Sequence, residues 1–264
     1  MKLGVIGCGK MGTALVEGAI RSGGVDSANV IGVDPYLGAR ENFARTTGAA
    51  VSESLSAVAG CEVVLLCTKP LDVRAALQAL AADGSPRLVI SIAAGITLAA
   101  LEEAASPATR VIRAMPNTPA LVGKGAAAFC LGTRATPEDA ASAKMLLGSV
   151  GLAVEVPERL MDAVTGLSGS GPAYVYLVIE ALADGGVRNG LARADAIRLA
   201  AQTVFGSAAM VLETGEHPAV LKDMVTSPGG TTIAGLAELE KLGLRSSLIE
   251  AVTAATRRAG ELGK

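Results

Sequence analysis

The sequence opens with Leu3-Gly4-Val5-Ile6-Gly7-Cys8-Gly9-Lys10-Met11-Gly12, a short apolar run that leads into three spaced glycines. The spacing is G-x-G-x-x-G between a predicted strand and a predicted helix, which is typical of a dinucleotide-binding turn. Its first glycine permits a tight turn, the second lets a pyrophosphate approach the backbone, and the third lets strand and helix pack closely. A glycine-rich turn without a ligand is the alternative. Asp34 favours the dinucleotide, because it ends the next predicted strand about 20 residues further on, where a carboxylate can bind a ribose.

Around this turn, the first 159 residues alternate β-branched runs with alanine-rich helical stretches. Strict alternation of strand and helix predicts right-handed crossovers and a parallel sheet. The predicted strands are Leu3–Ile6, Val30–Val33, Val63–Cys67, Leu88–Ile92, Val111–Arg113, Ala126–Leu131 and Ala153–Val156. The predicted helices between them are Thr13–Ser22, Ala39–Thr46, Val73–Ala82, Leu98–Ala104 and Pro137–Ser149.

Beyond residue 160 the strand pattern gives way to long amphipathic stretches joined by glycine-rich turns. Helices of this kind predict an all-α second half, with the boundary near Arg159. The stretches are Pro172–Asp184, Arg193–Glu213, His217–Val225, Thr231–Lys241 and Ser246–Leu262.

Composition excludes several classes of protein. Lys and Arg number 23 against 25 Asp and Glu, so the formal charge of −2 argues against nucleic-acid binding. Half of the 264 residues are hydrophobic, which excludes a disordered chain. The uncharged run Leu88–Leu101 is shorter than the roughly 20 residues that span a bilayer. Four cysteines without a CxxC pair, a single histidine and no secretory signal predict a soluble, cytoplasmic chain without a metal site.

Further candidate loops follow the later strands, at the edge where parallel sheets bind ligands. They are Thr68-Lys69-Pro70, Ala93-Ala94-Gly95 and the double-proline segment around Asn117. Lys69-Pro70 could instead only start a helix. Asn117 could bind a nicotinamide carboxamide or a substrate, or it could only cap its loop.

Two segments of the helical half are rich in glycine and hydroxyl groups. Thr165–Tyr174 opens a long helix and brings backbone N–H groups close to an anionic or planar group. Leu221–Thr232 presents hydroxyls and free N–H groups at another helix start, which suits a small carboxylate. A simple helix cap is the alternative there.

From end to end, the chain resembles the pyrroline-5-carboxylate reductase family. The resemblance is carried by Gly7–Gly12, Thr68–Pro70, Ser91–Gly95, Met115–Pro119, Thr165–Tyr174 and, most specifically, Leu221–Thr232. It implies an N-terminal Rossmann domain, residues 1–159, and a helical dimerisation domain, residues 160–264. It also implies an oligomer of at least two chains that reduces 1-pyrroline-5-carboxylate to L-proline, the last step of proline biosynthesis, with NADPH or NADH.

By position, the resemblance also assigns site residues. The substrate carboxylate falls to Ser227, Gly230, Thr231 and Thr232, in a loop expected to serve the cofactor of a neighbouring subunit. Two departures are Met224 and Ser54, where many relatives have asparagine. For the cofactor, the resemblance implicates Ile6–Met11, Thr68–Pro70 and Ile92–Ala94. Together with Ser54 and the residues singled out from their own chemistry, the predicted cofactor residues are Ile6, Gly7, Cys8, Gly9, Lys10, Met11, Gly12, Asp34, Ser54, Thr68, Lys69, Pro70, Ile92, Ala93, Ala94 and Asn117.

The reduction does not require a general acid from the protein, because a cyclic imine that is protonated in solution needs only to be positioned and hydrogen-bonded. Thr232 is the candidate catalytic residue, as the polar partner of the imine nitrogen. His217, placed before Pro218 at a helix start, is expected to be a cap. As for the cofactor, the Asp34 carboxylate would repel the 2′-phosphate of NADPH, which favours NADH unless Arg40 reaches that phosphate.

Two other readings compete. The β-hydroxyacid dehydrogenases share the glycine turn and a G-x-x-G-x-G segment, but here Val175 stands at the position of their acid–base lysine. A regulatory protein that binds a dinucleotide without turnover would not need the Ser227–Thr232 segment. Consumption of reduced cofactor with pyrroline-5-carboxylate separates an enzyme from such a protein.

Overall fold

The computed structural model describes residues 1–82 and 84–263. In this part of the chain, eight strands form a single sheet. They are β1 (Leu3–Ile6), β2 (Val30–Val33), β3 (Ala50–Ser52), β4 (Val63–Leu66), β5 (Arg87–Ser91), β6 (Thr109–Met115), β7 (Gly125–Leu131) and β8 (Gly151–Glu155). Their spatial order is β3-β2-β1-β4-β5-β6-β7-β8.

Each of the ten predicted helices is present, with ends shifted by a few residues. The helices are α1 (Lys10–Arg21), α2 (Leu37–Thr47), α3 (Val73–Ala81), α4 (Leu98–Ala104), α5 (Pro137–Gly148), α6 (Met161–Val164), α7 (Gly171–Arg188), α8 (Arg193–Thr214), α9 (Pro218–Met224), α10 (Thr231–Lys241) and α11 (Leu244–Leu262). A π-type turn, Thr165–Gly169, lies between α6 and α7. None of the helices in the described ranges has the length and apolar character needed to cross a membrane.

The prediction of an all-parallel sheet is wrong for two strands, because β8 pairs parallel with the reversed β7 and therefore also runs opposite to β1–β6. β1 to β6 are parallel, but β7 pairs antiparallel with β6. Only a short loop joins them, and a parallel pairing needs a crossover of about a dozen residues or more. The sequence also missed β3, since three partly exposed residues are too short to show a pattern.

The sheet is covered on both faces. β1, β4 and β5 are buried throughout, as expected for strands with helices on either side. Alternate residues face opposite cores, so Val5 and Leu65 pack with α1 and α5, while Ile6 and Leu66 pack with α3 and α4. The carboxyl ends of β1, β2, β4, β5 and β6 therefore meet at one edge of the sheet, which is where the candidate loops follow.

The chain divides into two compact units. The first contains residues 1–170 together with 253–263, and the second contains residues 171–252. The boundary predicted near Arg159 falls in a short helical turn, Glu158–Leu160, inside the first unit. The second unit buries only alanines in its own core, at Ala183, Ala196 and Ala200.

Candidate active site

The glycine turn follows β1 and has three glycines with three different surroundings. Gly7 has a φ of +102°, and an added Cβ would lie 2.6 Å from the Cys67 carbonyl oxygen. A Cβ on Gly12 would lie 2.3 Å from the Gly7 carbonyl oxygen. A Cβ on Gly9 would meet nothing within 4 Å. Gly7 and Gly12 therefore keep the turn closed, while Gly9 leaves open space above the backbone.

The same turn presents the start of α1 to that open space. Gly9 is the N-cap of α1, and it provides no side-chain cap for the first amides of this helix. Free N–H groups and the positive end of a helix dipole favour a bound phosphate. Open space beside uncapped amides fits the pyrophosphate of a dinucleotide.

Asp34 is bound within the protein. The carboxylate is 8% exposed and accepts one hydrogen bond from the Cys8 amide at 2.9 Å and another from the Tyr36 amide at 2.9 Å. It therefore ties the glycine turn to the loop after β2. Each oxygen has one backbone partner and keeps a further lone pair, so the predicted contact with a ribose stays a prediction.

Arg40 lies beside this carboxylate. Its Nη1 donates to the carbonyl oxygens of Asp34, at 2.7 Å, and Pro35, at 3.0 Å. Its Nη2 lies 3.6 Å from Glu53 Oε2, and the side chain is 13% exposed. The guanidinium thus stays at the end of β2, although Arg40 itself belongs to α2.

The loops after β4 and β5 lie next to the glycine turn along the same edge, because these strands are neighbours of β1. The Thr68 hydroxyl is buried and makes no hydrogen bond within the described residues. Lys69 is exposed, and Pro70 starts a short helical turn. After β5, Ile92 is half-buried, Ala93 is buried and Ala94 is exposed. An unpartnered hydroxyl beside an exposed lysine fits an oxygen-rich ligand.

Ser54 and Asn117 are already engaged inside the protein. Ser54 is exposed and caps a short helical turn through Ser56. The Asn117 side chain bonds Ala126 and Ser168 and is buried, which favours the loop-fixing alternative over a nicotinamide contact.

The thiols near the turn are not nucleophiles. Burial, reinforced by the Asp34 charge, raises the pKa of Cys8 to about 12. Burial also raises the pKa of Cys67 to about 12. Both remain protonated at neutral pH and serve as apolar packing.

In the second unit, the Ser227–Thr232 segment forms an open helix start. Gly230 is the N-cap of α10 without a side-chain cap, and its amide donates to the Ser227 carbonyl oxygen at 3.1 Å. An added Cβ on Gly230 would lie 2.3 Å from Ser227 Oγ, so the hydroxyl occupies the space that glycine leaves. Within the described ranges, the hydroxyls of Ser227, Thr231 and Thr232 make no hydrogen bond to other residues.

Neighbouring polar residues have other partners. His217 Nδ1 accepts from the Ala219 amide at 3.2 Å, which confirms the predicted cap. Lys222 Nζ lies 2.6 Å from Asp223 Oδ1.

Sequence reasoning missed one charged cluster of the first unit. Arg113 is buried in β6, and its guanidinium bonds Glu158 at 3.2 Å and Asp162 at 3.5 Å. Glu158 also accepts from the Leu98 amide at 2.6 Å, just after the Ile92–Gly95 loop. The available signal was an arginine inside an apolar strand, with two acids one helical turn apart.

Comparisons with known proteins agree with this geometry. A family model described as pyrroline-5-carboxylate reductase dimerisation matches residues 158–262, and one described as NADP oxidoreductase, coenzyme F420-dependent, matches residues 2–95. A pyrroline-5-carboxylate reductase of Synechocystis is 50% identical, with the match covering 100% of this chain and 99% of that protein.

Solved structures extend the likeness. A pyrroline-5-carboxylate reductase of Coxiella burnetii has a TM-score of 0.94 and 34% identity, over 100% of this chain and 98% of that one. A pyrroline carboxylate reductase of Plasmodium falciparum with NADP bound has a TM-score of 0.87 and 34% identity, over 100% and 98%. These findings confirm the predicted fold class and reductase function. Sequence identity of 50% to such a reductase over the whole length of the chain shows that the chain belongs to the pyrroline-5-carboxylate reductase family of nicotinamide-dependent oxidoreductases.

Proposed function

We propose that this enzyme reduces 1-pyrroline-5-carboxylate to L-proline at a site that begins at the glycine turn. The observation that carries the proposal is the open space above Gly9, at the uncapped start of α1. A bound nicotinamide dinucleotide supplies the hydride. The loops Ile6–Gly12, Thr68–Pro70 and Ile92–Ala94 hold it, with the Thr68 hydroxyl as a ready donor and Lys69 as an exposed cation.

The cofactor we propose is NADPH, at least as readily as NADH. The argument for NADH depends on repulsion between Asp34 and the 2′-phosphate, and two backbone amides that bond this nearly buried carboxylate weaken that repulsion. Arg40 is the cation beside it, held at the end of β2 by two carbonyl oxygens. An arginine next to the ribose site is a usual partner of a 2′-phosphate.

The substrate carboxylate is held, in this proposal, by the Ser227–Thr232 segment. Ser227, Thr231 and Thr232 bring hydroxyls, and Gly230 leaves the first amides of α10 uncapped. Helix amides and hydroxyls together suit a small anion. Thr232 acts as the hydrogen-bond partner of the imine nitrogen, which arrives protonated from solution.

We further propose that the chain works as an oligomer in the cytoplasm, with residues 1–159 and 160–264 as its functional domains. Helices of the second unit expose large apolar side chains, among them Leu177, Leu199 and Leu212. Four free cysteines are in keeping with a reducing compartment.

Steady-state kinetics test the proposal. Ser227→Ala and Thr232→Ala should each raise KM for the imine about ten- to a hundredfold, the loss of one charge-assisted hydrogen bond. KM for the cofactor should change little. Thr203→Ala is the control, because in the described part of the chain its hydroxyl bonds only Leu199 of its own helix. Unchanged imine kinetics in both variants would remove this segment from the site, and no formation of proline by the wild type would refute the function.

A further inference from the structure

Asn117 joins three segments of the first unit through one buried amide. Its Oδ1 accepts from the Ala126 amide in β7 at 2.8 Å. Its Nδ2 donates to the Ser168 carbonyl oxygen in the π-type turn at 2.9 Å. The side chain thus links the loop after β6 to β7 and to a segment 51 residues away.

The Ser168 carbonyl has no donor in the α-helical register. In an α-helix its partner would be the N–H four residues on, at Pro172. Proline has no N–H. The hydrogen-bond ladder has already slipped here, since the Ser170 amide donates to Thr165 O at 2.8 Å. Asn117 therefore replaces a donor that the sequence of the helix removes.

A second contact presses the same turn against the same loop. An added Cβ on Gly169 would lie 2.7 Å from Cε of Met115, which ends β6. A Cβ at this position would have to push the end of the Met115 side chain aside. The π-type turn is thus docked on the end of β6 by one hydrogen bond and one close packing contact.

The end of β6 lies on one side of the proposed cofactor site. β4, β5 and β6 are parallel neighbours, so Thr68, Ile92 and Asn117 follow consecutive strand ends along one edge. Asp34 follows β2, on the opposite side of β1. A dinucleotide whose adenosine half lies toward β2 has its nicotinamide half toward β5 and β6. The docked turn would therefore lie at the end of the site that holds the nicotinamide half.

We propose that Asn117 is a positioning residue for hydride transfer, an inference that rests on the proposed function. By holding the Ser168 carbonyl, it fixes the backbone of Ser168 and Gly169 beside the nicotinamide half of the site. Its loss should lower kcat and leave cofactor affinity nearly unchanged.

Asn117→Asp is the sharpest test, because it keeps an acceptor for Ala126 and removes the donor to Ser168. We expect kcat to fall about tenfold or more, as for an unsatisfied hydrogen bond, with the dissociation constant of NADPH within about twofold. The absence of tryptophan leaves nicotinamide fluorescence clear for that titration. Asn189→Asp is the control, since this exposed amide also donates to a helix carbonyl, that of Gly185, at 2.8 Å.

Pro172→Ala separates positioning from general stability. In the Asn117→Asp background it restores an N–H that can bond Ser168 within the helix, but it does not restore the link from Ser168 to the loop after β6. It should therefore recover thermal stability but not kcat. Recovery of both, or an unchanged kcat in Asn117→Asp, overturns the inference. If Asn117→Asp fails to bind cofactor, Gly169→Val, whose side chain is larger than a shift of Met115 Cε can accommodate, should show the same loss of kcat, and an unchanged kcat there is equally decisive. An inactive wild type would instead refute the proposed function.

Discussion

Replacing Arg40 by alanine should separate the two nicotinamide cofactors. The guanidinium uses Nη1 on the carbonyl oxygens of Asp34 and Pro35, which fixes its plane at the end of β2. Its Nε and Nη2 hydrogens make no hydrogen bond within the described residues, although Glu53 lies 3.6 Å from Nη2. These donors are the ones a 2′-phosphate would meet.

The size of the effect follows from this geometry. One charge-assisted hydrogen bond contributes about 1.5–3 kcal/mol, or roughly ten- to a hundredfold in kcat/KM. Because Glu53 competes with the phosphate for Nη2 of Arg40, we expect the loss of one hydrogen bond to the phosphate rather than two. NADH lacks the phosphate, so its kcat/KM should change by no more than about threefold.

The assay is kcat/KM for NADPH and NADH at saturating pyrroline-5-carboxylate. Arg45→Ala is the matched control, since Arg45 lies on the same helix and, among the residues that the structure describes, bonds only Asn42, at 2.8 Å. Glu53→Gln should raise kcat/KM with NADPH, because it removes the competing carboxylate. Equal losses for both cofactors in Arg40→Ala, or a wild type that prefers NADH about tenfold or more, would refute the reasoning.

Three further predictions concern folding and assembly. Gly9→Ala should melt within about 3 °C of the wild type and yet raise KM for the cofactor. Gly12→Ala should melt at a lower temperature, because its Cβ would lie 2.3 Å from the Gly7 carbonyl oxygen. Equal losses of melting temperature in the two variants would contradict this. Burial alone would raise the pKa of Asp139, but hydrogen bonds from Arg110 at 2.7 Å and from Thr136 outweigh it and hold this pKa below its usual range. The stability that the Asp139 carboxylate contributes is therefore present above its usual pKa and is lost as pH falls through its pKa in the folded protein. Asp139→Asn should lower the free energy of unfolding in urea by about 1–3 kcal/mol at neutral pH and by less in acid. A loss that does not depend on pH would count against the ion pair. Sedimentation at decreasing concentration should show dimers or larger assemblies, and a stable monomer would contradict the apolar interface.

The sequence predicted most of the elements because their signals are local. Apolar runs bounded by glycine and polar residues define β1, β4 and β5, and the three spaced glycines identify the turn at the end of β1. The direction of β7 is a different kind of fact. It depends on whether the short loop after β6 lets the chain cross the sheet, and neither strand encodes that in its own residues.

The site was predictable where its chemistry belongs to the backbone, and less so where it depends on distant side chains. Glycines at 7, 9 and 12 carry their spacing in the sequence. No sequence pattern near Asn117 predicts its contact with Ser168, since the two residues are 51 positions apart. Asp34 shows the same limit, because its two backbone partners appear only when β1 and β2 pair side by side.

The hydrophobic periodicity of the helical half does not by itself show what its apolar faces pack against. Its helices read as amphipathic, yet within residues 171–252 only small side chains are buried together, at Ala183, Ala196 and Ala200. Larger side chains on the same helices stay exposed, such as Leu199 at 57% and Leu212 at 76%. Alanine contacts bring helices close but bury little apolar area, so they contribute little to the hydrophobic free energy of folding. We expect a unit built this way to gain its remaining stability by covering those leucines with another chain, in agreement with the match of residues 158–262 to a dimerisation model.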